Sequence, residues 1–165
     1  MISKNNNLPQ SWLKFLAIFL VTILLCQINL PFFDDNRLIP DYFIALIIPA
    51  IIFRFKNINI FIVFILGILV DLFIGELIGQ YAITFLIIYI SNFVLHKFFV
   101  FKSPTQLIFL YFILLEIGFL VIGITTISYL LQNSDMYILL YKNIMTIPVC
   151  FVYKLIFYHQ YLVFL

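Results

Sequence analysis

Apolar residues run along this chain in six long blocks separated by short polar joints. The blocks lie at about 12–30, 38–55, 57–75, 78–95, 105–131 and 136–158. Each comes close to the roughly 20 residues that a helix needs to cross a bilayer core. The pattern therefore predicts an all-α bundle of six transmembrane helices in a single integral membrane domain spanning residues 1–165. The second and third blocks are parted only by Arg54, Phe55, Lys56 and Asn57, which predicts a tight helical hairpin. The first block ends in Ile28-Asn29-Leu30-Pro31-Phe32-Phe33 with no small-x-small cleavage site, so it reads as a retained helix.

The polar joints carry the orientation. Threading the chain six times puts Lys4, Lys14, Arg54, Lys56, Lys97, Lys102 and Lys154 on one side. The other side receives Asp34, Asp35, Asp41, Glu76 and Asp135, with Arg37 beside them and Lys142 slightly inside the last helix. Basic loops face the cytoplasm, so both termini of this multi-pass membrane protein are expected there. One helix more or fewer would scramble this alternation.

Composition agrees with the pattern. Hydrophobic residues make up 65% of the chain and charged residues 10%. A soluble domain carries about 25% charged residues. A soluble enzyme, a secreted disulfide scaffold and a disordered tail are excluded. A net charge of +2 gives no reason to expect nucleic acid as a partner. Cys26 and Cys150 sit in apolar blocks and read as small hydrophobes. His96 and His159 are far apart and have no metal-ligand spacing, so neither a metal nor a cofactor is expected.

Ionisable side chains inside a span are costly and draw attention to themselves. Three stand out: Asp71, Glu116 and Lys142. Counting from the predicted helix ends places all three in one slab, about 17–20 Å above the cytoplasmic edge. Lys142 is expected to pair with Asp71, Glu116 or both. Such a cluster reads as a clasp between three helices, as a binding or proton-handling site, or as simple snorkelling. A second pattern, Gly67-x3-Asp71-x3-Gly75-x3-Gly79, places small residues and an acid along one helix stripe. Small residues let a neighbouring backbone approach, and lipid cannot satisfy the acid, so Asp71 is expected to face protein. Ile39-Pro40-Asp41 reads as a helix start, with proline in the first turn and an acid at the positive end. Pro49 and Pro148 are expected to bend their spans. There is no phosphate-binding loop, zinc-protease motif or nucleophile–histidine pair. No enzyme is expected.

Taken together, Ile39-Pro40-Asp41-Tyr42-Phe43, the Arg54–Asn57 turn and the Gly-Ile-Leu-Val-Asp-Leu-Phe-Ile-Gly-Glu-Leu-Ile-Gly segment at 67–79 resemble the rod shape-determining protein MreD family. The likeness runs from about 12 to 131, and the last span matches in kind. It implies a non-enzymatic scaffold of the bacterial elongation machinery that binds MreC. Through MreC it would support the glycosyltransferase RodA, a class B penicillin-binding transpeptidase and MreB filaments, and so cell shape and lateral peptidoglycan synthesis. It also implies a fold like that of the substrate-binding components of energy-coupling-factor vitamin transporters, and such a vitamin binder is the competing function. Short outer loops and a lone tryptophan near the cytoplasmic end favour the scaffold. The partner contact is expected at the outer ends of spans two and three, near Pro40, Asp41 and Asp71.

Overall fold

The structure, a computed structural model, describes residues 8–27, 40–54, 59–74, 77–99, 104–130 and 135–162. These form six helices and, among the described residues, no strand. They are α1 (Leu8–Gln27), α2 (Tyr42–Arg54), α3 (Ile60–Ile74), α4 (Gln80–Phe98), α5 (Pro104–Leu130) and α6 (Asp135–Leu162).

Each helix falls on one of the six apolar blocks, but the lengths differ from the expectation of about 20 residues each. Gln80–Phe98 and Gln106–Thr126 are long and apolar enough to cross a membrane, whereas α2 and α3, at 13 and 15 residues, are shorter. At 13 residues, α2 is only about 20 Å long. Its position explains how so short a helix is accommodated. It packs against α1, α4, α5 and α6, and every residue from Phe43 to Ile48, with Ala50 and Ile51, is at most 2% exposed. A helix that is apolar all round is a buried helix. Enclosed by protein, it has no lipid-facing length to match.

The outer surface is the inverse of a soluble protein's. Leu20 and Leu24 on α1, Phe61 and Leu72 on α3, Leu120 and Ile124 on α5, and Val152 and Leu155 on α6 are all exposed. Contiguous apolar surface of this kind belongs in a membrane or an interface. Lipid removes the hydrophobic drive between helices, so close packing and polar bonds must hold them. Rings supply part of that packing. Phe15, Phe19, Phe43, Tyr81 and Phe85 form a ladder from α1 through α2 to α4, with successive centroids 5.9–6.4 Å apart.

The tightest packing joins α3 to α4. A Cβ on Gly67 would lie 2.7 Å from the amide nitrogen of Ala82 and 2.9 Å from the carbonyl oxygen of Tyr81, with the Ala82 Cα closer still. The two backbones touch there, and only glycine leaves the room. Of the stripe's other glycines, a Cβ on Gly79 would meet nothing within 4 Å.

Candidate functional site

Polar side chains gather at the end of the bundle where α2, α4 and α6 begin and α3 and α5 finish. Two buried aspartates organise them. The first belongs to the glycine stripe. Asp71, on α3 and 2% exposed, directs its carboxylate at the start of α4. It accepts from the backbone N–H groups of Gly79 at 3.0 Å, Tyr81 at 2.8 Å and Ala82 at 3.2 Å. The first N–H groups of any helix lack intrahelical partners and carry partial positive charge. The N-cap residue of α4 is Gly79, at φ 95°, with no side chain to cap its own helix. Asp71 therefore supplies from the neighbouring helix the cap that Gly79 cannot. Gly79 in turn adopts a left-handed turn that a residue with a Cβ would enter only under strain. Gly67, Asp71 and Gly79 act as one device: close approach, cap and turn. Gly75 lies outside the described residues.

The second aspartate, Asp41, is the N-cap of α2. Its Oδ1 accepts from the N–H of Ile44 at 3.0 Å, the ordinary geometry of an acidic cap. Its Oδ2 accepts from the hydroxyl of Tyr81 at 2.6 Å and lies 3.9 Å from Nζ of Lys142. Its own N–H donates to Oγ1 of Thr146 at 2.8 Å, and the Thr146 hydroxyl donates to the carbonyl of Lys142 at 2.7 Å. Asp41 thus joins α2, α4 and α6. Tyr81 links the two acids, giving its backbone N–H to Asp71 and its hydroxyl to Asp41. Beside it, Nε2 of Gln80 donates to Oγ1 of Thr125 and of Thr126, both at 3.0 Å, tying the start of α4 to the end of α5.

The expected triad of Asp71, Glu116 and Lys142 does not form. Lys142 meets Asp41, because α6 packs along α2 and brings Lys142 to the start of that helix. Asp71 is already filled by three N–H groups. Glu116 lies exposed on α5 and accepts from Nδ2 of Asn143, the residue next to Lys142, at 3.0 Å. Nor does the expected partner contact at Pro40 and Asp41 lie on the surface. Pro40 is buried and Asp41 is 3% exposed, turned inward by its cap bonds and by Tyr81. Sequence reasoning followed ionisable groups and so missed Tyr81, Gln80, Asn143 and Thr146. The available signal was polar residues inside apolar blocks, each of which needs a partner where water is absent.

The arrangement is closed upon itself. The oxygens of both aspartates are occupied by donors of this chain, and each bond spans a helix end or joins two helices. Its chemistry is that of fixing helices in place. Among the described residues, no three His, Cys, Asp or Glu side chains converge as a metal site would require. No curated protein and no solved structure matches the chain, so the expected likeness to the vitamin-transporter fold is not shown. A family profile does match, over residues 8–165, nearly its whole length. With the apolar surface, the six helices and the glycine–aspartate device in place, that match identifies the chain as a membrane protein belonging to the rod shape-determining protein MreD family.

Proposed function

We propose that this chain is a non-enzymatic scaffold of the bacterial elongation machinery. It crosses the inner membrane six times, with both termini in the cytoplasm, and binds MreC. Through MreC it supports RodA, a class B penicillin-binding transpeptidase and MreB filaments, and so lateral peptidoglycan synthesis and cell shape. The family match over residues 8–165 carries this reading. The geometry favours it as well: the buried acids are spent on capping α2 and α4 and on Tyr81, which suits a rigid platform.

Affinity purification of the tagged chain from native membranes tests the proposal. MreC is expected in stoichiometric recovery. Recovery of the ATPase and transmembrane coupling subunits of a vitamin transporter in its place would overturn it. The order of crossings is tested separately, by reporter fusions at each terminus. Reporters that lie in opposite compartments would refute six spans.

A further inference from the structure

Glu116 stands apart from Asp41 and Asp71. Asp41 and Asp71 are buried and bonded within the bundle, whereas Glu116 is exposed on α5. It also sits ten residues from either end of the membrane-length stretch Gln106–Thr126, at the depth where a carboxylate is least tolerated by lipid. Its neighbours along the same stripe, Phe112, Leu120 and Ile124, are exposed and apolar. Asn143 of α6 holds the carboxylate at the seam between α5 and α6 through Nδ2, 3.0 Å away. The other end of that amide, Oδ1, is buried without a hydrogen-bond partner. Below this pair the seam opens as a shallow, mostly apolar groove lined by Phe112, Leu115, Ile147 and Phe151, with Lys154 also on its wall.

We propose that this seam is a docking surface for a single transmembrane helix of another protein, one that carries a hydrogen-bond donor at mid-membrane depth opposite Glu116. Charge complementarity selects the occupant. The Asn143 amide already donates to Glu116 and its Oδ1 is buried, so what the seam offers a neighbour is the exposed Glu116 carboxylate, an acceptor. A lipid chain has no donor to give it. A second copy of this chain, joined about a twofold axis at Glu116, would set carboxylate against carboxylate, since a twofold contact presents the same patch from both sides. A helix bearing Arg, Lys, Asn, Gln, Ser or Thr would fill the groove with its apolar residues and satisfy the carboxylate, the way polar residues join helices in membranes. The inference deepens the scaffold reading and rests on it for the partner's identity, a member of the same machinery.

The test is site-specific photo-crosslinking in native membranes. A photoreactive phenylalanine replaces Leu120 or Ile144 on the seam, and Phe61 or Leu72 on the exposed side of α3. Adducts are expected at 120 and 144, with the captured peptide a transmembrane segment that carries a donor at matching depth. Glu116→Leu should reduce those adducts by about threefold to tenfold at unchanged membrane level. Glu116→Gln, which keeps an acceptor of the same size, should retain most of them. Adducts confined to α3, adducts of the chain with itself, adducts indifferent to Glu116→Leu, or none at all would overturn the inference. If Glu116→Leu does not reach the membrane, Glu116→Gln and the positional pattern decide. MreC recovered by affinity but crosslinked elsewhere would sink this surface and leave the scaffold standing. Seam adducts to a donor-bearing helix, with no MreC recovered, would do the reverse.

Discussion

The two buried aspartates show how a charge is kept inside an apolar bundle. Each carboxylate faces the positive end of a helix and takes charge-assisted bonds from N–H or O–H groups. Replacing Asp71 by Leu would leave three N–H groups of α4 without acceptors, at a cost of about 2–4 kcal/mol. Asn keeps one acceptor and should cost about half as much. Thermal unfolding of the purified protein in detergent should therefore rank wild type above Asp71→Asn and Asp71→Leu lowest; equal unfolding temperatures would count against the cap. Lys142 and Asp41 should show coupling in a double-mutant cycle, and Lys142 with Glu116 should not. Asn92 is fully buried on α4 with neither amide atom bonded. Exchanging it for Leu removes an unsatisfied group, so the unfolding temperature should rise rather than fall.

Among the helices, α3 and α4 form the unit most plainly written in the sequence. The spacing Gly67-x3-Asp71 announces a close approach and a buried acid, and both occur. What the acid binds was not legible, because the partner is backbone, which every residue has. The pairing of Lys142 was hidden for another reason. Helices that are apolar on all sides, as α2 and α5 nearly are, give no amphipathic face from which to read their neighbours. Depth along a helix could be counted from the sequence. The order of helices around the bundle could not, and that order sends Lys142 to Asp41. Glycine substitutions separate packing from propensity. Gly67→Ala drives a methyl into the Ala82 backbone and should cost about 2 kcal/mol or more. Gly118→Ala meets side-chain ends alone, Ile88 at 3.1 Å and Ile44 at 3.5 and 3.6 Å. There a helix-propensity gain of about 1 kcal/mol offsets the adjustment. Unfolding temperatures of the two variants should differ accordingly.

Among the described residues, the molecule is a bundle with a largely apolar outside, in which Asp41, Asp71 and Tyr81 are turned inward and engaged with one another. The six helices, the membrane setting and the family were legible from block lengths, loop charge and the 67–79 segment. The short central α2 was not, because hydropathy does not distinguish a helix wrapped by protein from one wrapped by lipid. The account holds that Asp41 and Asp71 serve the fold and perform no chemistry of their own. Cell shape in a rod-shaped host lacking its own family member tests this most directly, with width measured alongside the amount of protein in the membrane. Any Asp41→Asn or Asp71→Asn variant that reaches the wild-type amount should restore rods. A variant present at that amount, with an unaltered unfolding temperature, that leaves the cells round would contradict it.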